Sequence, residues 1–115
     1  MKEEKIEILR GIVYGQDKTV SRIMKHYNIT VVDLNNGKRS DSQLSEARGA
    51  IATYLRRSGL SWPVLGKVIF KTRATAIHLV RSTIERAEVD KNFRTKLLGF
   101  GIPQVEPSSV FKSLK

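Results

Sequence analysis

The residue types that carry most acid–base and nucleophilic chemistry are thin in this chain. Its two histidines, His26 and His78, lie far apart in sequence, and there is no cysteine to join either of them. A metal site needs several converging ligands, and an activated nucleophile needs a base beside it. Neither pattern is present. Glu85, Glu88 and Asp90 stand close together, but beside Arg81 and Arg86, at spacings that predict ion pairing along one helix. A phosphate-cradling loop requires Gly, four residues, then Gly-Lys-Ser/Thr. Gly37-Lys38 is followed by Arg39, and Gly66-Lys67 by Val68, so neither fits. The expectation is a protein that is no enzyme, with no catalytic residue, no metal and no cofactor.

What the chain does carry is positive charge. Lys plus Arg number 21 against 11 Asp plus Glu, a net charge of +10. Between Lys38 and Arg81 there are nine basic residues and two acidic ones. A basic middle points to a polyanion as partner, and charge alone does not separate DNA from RNA or from an anionic membrane surface. Aromatic residues make up 7% and fall mostly at core spacings. That offers none of the stacking platforms used to read single-stranded RNA. No apolar stretch reaches the roughly 18 residues of a membrane span, and the N-terminus lacks a signal-like apolar run. A cytoplasmic, nucleoid-associated location is expected, with no membrane partner.

The elements that must position this charge read as helices. The 115 residues, 40% hydrophobic, suit one ordinary domain. Ile6, Leu9 and Val13 space a short helix over 3–14. Gly15 can end it, and Asp17 or Thr19 can cap the next. Val20, Ile23, Met24 and Tyr27 predict an amphipathic helix over about 17–28. The segment from Ile29 to Val32 is too short for a strand without a partner and reads as a connector. Leu44, Ala47, Ile51, Tyr54 and Leu55 line a helix from about 40–42 to 58, with Arg48, Arg56 and Arg57 mostly off that face. Trp62 reads as the apolar anchor of the helix that follows. The expected fold is all-α, a compact bundle of about five helices. It divides into an N-terminal extension over 1–15, a main domain over 16–96, and an irregular C-terminal tail over 97–115. In that tail Leu97, Leu98, Phe100 and Ile102 either dock on the core or serve a partner.

The most informative stretch is 61–90. Ser61 with Pro63 predicts a helix start, and Val64, Leu65, Val68 and Ile69 a short helix over 62–69. Phe70-Lys71-Thr72 breaks it. Thr72 then caps a second helix whose buried stripe is Ile77, Val80, Ile84 and Ala87. Two helices joined by so short a turn make a helix-turn-helix pattern. In that motif the second helix enters the major groove and its first residues touch bases.

Taken in order, these segments resemble the C-terminal DNA-binding domain of the bacterial replication initiator DnaA, over roughly residues 16–90. The likeness lies in Val20 to Tyr27, in ITVVDL at 29–34, in Lys38-Arg39-Ser40, in ARGAIATYL at 47–55 and in SWPVLGKVI at 61–69. The resemblance implies a Trp-repressor-like helical domain that binds duplex DNA. It implies a minor-groove role for Arg39 in a basic loop with Lys38 beside it, and a DNA contact for Arg48. It also implies base or groove contacts for Thr72, Arg73, Thr75 and Ala76. Where the family has Gly-Gly-Arg-Asp-His-Thr-Thr, this chain has Phe70, Lys71, Thr72, Arg73, Ala74, Thr75 and Ala76, so the family's target sequence does not transfer. The family's ATPase motor has no counterpart here.

Arg73 is the leading candidate for a bidentate pair with guanine. Lys38, Arg48, Lys67 and Lys71 are candidates for phosphate contact. The expected function is double-stranded DNA binding in the regulation of replication or transcription. The alternative is a protein-interaction module that mimics or competes with an initiator domain, with a replication or regulatory protein as partner.

Overall fold

A computed structural model of the chain describes residues 2–35, 41–103 and 110–111. These residues hold seven α-helices and no strand: α1 Glu3–Gln16, α2 Lys18–Tyr27, α3 Val31–Asn35, α4 Ser42–Arg57, α5 Trp62–Val68, α6 Arg73–Val89 and α7 Lys91–Phe100. The all-α expectation holds. No described helix is long and apolar enough to cross a membrane.

Helix α4 is the centre. Every residue from Ala47 to Thr53 is buried, so the helix is covered on all sides. Its sharpest contact is with α6. A β-carbon on Gly49 would collide with the Thr83 hydroxyl of α6, so the bare glycine makes room for that side chain where the two helices cross. Helix α5 packs on α6, α2 on α4, and α1 on α5 and α2.

Two aspartates make the corners. Asp17 ends α1, and its Oδ1 accepts from the Thr19 and Val20 amides at 2.9 and 3.1 Å, capping α2. Its Oδ2 accepts from the Tyr54 hydroxyl at 2.8 Å, which ties the corner to α4. Asp90 ends α6 and caps α7, accepting from the Phe93 amide at 3.0 Å. That bond, with the Arg86 charge, holds its carboxyl below the ordinary range.

The terminal segments and the connector differ from expectation. The tail predicted to be irregular from residue 97 is helical through Phe100. Leu97, Phe100, Ile102 and Val110 are buried in the main core, and Leu98 faces solvent. Val13 of α1 joins the same core. The connector after α2 contains a helix, α3, started by a reciprocal cap. The Thr30 amide donates to Asp33 Oδ2 at 2.9 Å, and the Asp33 amide to Thr30 Oγ1 at 3.3 Å. That is the capping-box geometry with Asp in place of Glu.

Glu46 locks α7 to the rest. Its oxygens meet Arg86 of α6 at 2.5 Å and Lys96 of α7 at 3.1 Å, and the Tyr27 hydroxyl also donates to it. Burial works against the charge. The hydrogen bonds from Tyr27 and Lys96 and the two cations outweigh it and hold the Glu46 carboxyl below the usual range.

Candidate nucleic-acid interface

The site is built on the connection between α5 and α6. Helix α5 ends in a Schellman motif: the Phe70 amide donates to the Lys67 carbonyl at 3.1 Å and the Lys71 amide to the Gly66 carbonyl at 2.8 Å. Three other helices end in the same paired bonds. Their left-handed residues are Asn28, Gly59 and Gly101, and the residues that follow are Ile29, Leu60 and Ile102, all apolar and at least partly buried. The α5 terminus departs from its siblings twice. Its left-handed residue is Phe70, at φ +61°, a conformation a bulky side chain rarely adopts. The residue after it is Lys71, which is exposed. The position that normally helps to seal a helix end therefore presents a cation to solvent. Strain of this kind persists only where surrounding structure supports it.

Helix α1 supplies that support. The Arg10 guanidinium donates twice to the Lys67 carbonyl, from Nε at 3.1 Å and Nη2 at 2.5 Å, and lies 4.2 Å from the Phe70 ring centre. The Tyr14 hydroxyl donates to the Val68 carbonyl at 2.9 Å, and its ring stacks on Phe70 at 6.1 Å. Burial pushes the Tyr14 hydroxyl well above the ordinary tyrosine range, so it stays a donor at every physiological pH. Replacing Arg10 by alanine should lower stability by about 1–2 kcal/mol. It should also speed amide exchange at Phe70 and Lys71, whose bonds close the end of α5, more than exchange elsewhere. Unchanged exchange at these two amides would mean α1 does not brace the turn.

Helix α6 starts where the turn delivers it. Thr72 is the cap expected of it: its hydroxyl accepts from the Thr75 amide at 3.2 Å and meets the Thr75 hydroxyl at 3.1 Å. Ser61 leads into α5 without a side-chain cap bond. Gly66 of α5 lies directly under the α6 start, where a β-carbon would sit 2.7 Å from the Thr72 carbonyl carbon and 2.8 Å from the Arg73 nitrogen. The first turn of α6 is thus held rigidly against α5.

Most of the sequence-derived candidates come together here. Lys67, Lys71, Thr72 and Arg73 are exposed, and Thr75 is half-buried with its polar groups engaged in the cap. Two others are elsewhere. Ala76 is fully buried, so it serves the core and cannot reach a groove. Arg48, expected at a phosphate, is also inside. Its Nη2 donates to the Leu34 carbonyl at 2.7 Å, its Nε has no hydrogen-bond partner among the described residues, and burial lowers its pKa. The reason is helical register: 44, 48, 51 and 55 form one i, i+4, i+7, i+11 row, so Arg48 shares the face of Leu44, Ile51 and Leu55. Lys38 and Arg39 lie outside the described residues.

The geometry adds residues that were set aside or overlooked. Ala74, His78 and Ser82 are exposed at i, i+4 and i+8, so His78 belongs to the outer face of α6. Ser42 and Ser45 of α4 line one groove with His78 and Ser82. The start of α4, directly after the Lys38–Arg39 segment in the chain, therefore borders this face. The spacing from Ala74 was the available signal for His78 and Ser82. None existed for the two serines, because their placement depends on how α4 crosses α6. By contrast Trp62 is fully buried, stacked on Phe111 at 5.5 Å and covered by Arg56 at 4.2 Å. Arg56 also bonds the Leu60 and Val110 carbonyls, both at 2.8 Å, and is structural.

The electrostatics favour an anion. No carboxylate occurs in the sequence between Glu46 and Glu85, while seven Lys and Arg residues do. Glu46, the carboxylate bordering the groove, is neutralised by Arg86 and Lys96. No group of three or more potential metal ligands gathers among the described residues. Comparison with known proteins returns no family model that matches this chain, and no significant match among curated proteins or solved structures.

Proposed function

We propose that the chain binds double-stranded DNA, with α5 and α6 acting as a helix-turn-helix and the first turns of α6 entering the major groove. The observation that carries this reading is the α5–α6 turn itself. A strained Phe70, braced by Arg10 and Tyr14, leaves Lys71 exposed beside the α6 start, where Arg73 and Ala74 are also exposed. Fold stability alone would favour Gly and an apolar residue at 70 and 71. A cation held next to a projecting helix start suits phosphate contact, with base contact from the helix. In this reading Arg73 pairs with a base, Lys71 and Lys67 meet phosphates, and His78 and Ser82 extend the contact face. Lys38 and Arg39 reach an adjacent groove, as the resemblance to the DnaA domain implies. The biological setting would be regulation of replication or transcription.

The test is fluorescence anisotropy of a labelled duplex about two helical turns long, across a salt series. Log affinity should fall with log salt at about −0.9 per phosphate contacted. Lys71→Ala should weaken all sequences alike and flatten that slope by about one unit. Arg73→Ala should cost about 1–3 kcal/mol on the preferred sequence and little on random duplex. Absence of binding at low salt, or variants that bind as the parent does, would refute the assignment.

A further inference from the structure

Helix α2 buries Val20, Ile23, Met24 and Tyr27 and turns its other side to solvent. That outer side carries Lys18, Ser21, Arg22, Lys25 and His26, all exposed, with no acid and no apolar residue among them. Lys18, Arg22 and Lys25 stand at i, i+4 and i+7, so one row of three cations runs along the helix. Among the described residues none of the three forms an ion pair. With Gln16 and Ser21 they line one shallow groove. The carboxylate at its edge, Asp17, is engaged by the Thr19 and Val20 amides and the Tyr54 hydroxyl. Helix stability does not account for the row, since Lys18 lies in the first turn, where the helix dipole disfavours a cation. The face is also separate from the α5–α6 turn. Helix α7 packs on both α2 and α6 and lies between them, its Lys96 5.6 Å from the Tyr27 ring centre and its Phe93 ring 4.2 Å from the Arg86 guanidinium. On the other side α1 packs on both α2 and α5.

We propose that the outer face of α2 is a second seat for duplex DNA, held through phosphates, so that one copy of the chain ties two duplex segments together. The chemistry of the face selects this occupant. Interfaces between proteins centre on apolar and aromatic residues and are depleted in lysine, and insertion into an anionic membrane surface also requires an apolar face. The α2 face has no such residue. Interfaces with duplex DNA are polar and strongly positive. The row from Lys18 to Lys25 spans about 10 Å, room for about three phosphates of one strand at about 3.4 Å of rise each. Gln16 and Ser21 offer donors for phosphate oxygens beside the cations. Contacts of this kind hold the backbone and carry no sequence information. The α2 seat stands by itself, whereas the tying of two segments also rests on the α5–α6 reading.

Beads carrying one random-sequence duplex should capture a second, labelled duplex when the full chain is added at low salt. Lys18→Ala/Arg22→Ala/Lys25→Ala should cut that capture at least about tenfold, with circular dichroism unchanged because all three side chains are exposed. Lys71→Ala/Arg73→Ala should also cut it, by weakening the other seat. In the Lys71→Ala/Arg73→Ala background, adding the three α2 substitutions should flatten the slope of log affinity against log salt by about 2–3 units, at about 0.9 per contact. No capture by the parent chain, or capture undiminished in the α2 variant, would overturn the tying of two segments. An unchanged slope would overturn the α2 seat itself. Binding lost with the α2 substitutions but indifferent to Lys71→Ala/Arg73→Ala would uphold the α2 seat and refute the α5–α6 reading. Polyglutamate that competes for the α2 seat better than duplex of equal charge would assign the face to an acidic protein and overturn the proposal.

Discussion

Replacing Trp62 by alanine should lower stability by about 3–5 kcal/mol, a large part of the roughly 5–15 kcal/mol typical of a whole domain. Trp62 has no exposed surface, stacks on Phe111 and carries the Arg56 guanidinium over its ring. Its removal leaves a large cavity at the start of α5. It also strips the cover from a guanidinium whose remaining bonds hold the Leu60 and Val110 carbonyls. The melting temperature should drop by roughly 10–20 °C. The measurement is thermal unfolding followed by circular dichroism, because Trp62 is the chain's one tryptophan and its fluorescence disappears with the substitution. A shift of a few degrees would show that the site repacks and that α5 is anchored elsewhere. Trp62→Phe keeps an aromatic ring against Phe111 and should recover much of the loss.

The second large effect is expected at Gly66. Alanine is normally the better helix former by about 1 kcal/mol, so Gly66→Ala inside α5 would ordinarily stabilise. Here the new β-carbon would meet backbone atoms of Thr72 and Arg73 at 2.7–2.8 Å, and backbone cannot swing aside as a flexible side chain can. The start of α6 must move away from α5. A net loss of about 1–3 kcal/mol is expected. Gly99→Ala in α7 is the control, since nothing lies within 4 Å of its added carbon, and a gain of up to about 1 kcal/mol is expected there. If α6 reads DNA, Gly66→Ala should also reduce duplex affinity under conditions where the variant remains folded, though position 66 touches no DNA. Equal, stabilising effects at 66 and 99 would mean the α5–α6 contact is looser than its geometry implies.

The α5 terminus also bears on how folds host function. Asn28, Gly59 and Gly101 suit the left-handed conformation of their helix ends, and each is followed by an apolar residue. Phe70 and Lys71 satisfy neither preference. Local rules that hold at three ends and fail at the fourth mark the fourth as a place where something other than stability was retained. Under the proposed function, that something is contact of Lys71 with a phosphate.

The sequence by itself determined five of the seven described helices, α1, α2, α4, α5 and α6, and the caps that start α2 and α6. Asp17, Thr72 and the 20–23–24–27 stripe act through bonds and contacts within one or two turns, so their meaning does not depend on the rest of the chain. The same holds for the excess of positive charge and for the α5–turn–α6 spacing. The Thr30–Asp33 cap was equally local and legible, but five residues make a weak helical pattern. Tertiary structure alone decided the fates of the individual cations. Arg48 and Arg56 read as surface residues by type, yet one lies in the row of Leu44, Ile51 and Leu55 and the other lies over Trp62. Arg10, on a terminal helix, closes the end of α5, 57 residues away in the chain. Only the packing made Gly66 a contact and left Gly11 open. The physical reason is range: caps and periodicity are fixed by neighbours in sequence, whereas burial of a charge depends on which distant carbonyl or ring the fold brings to it.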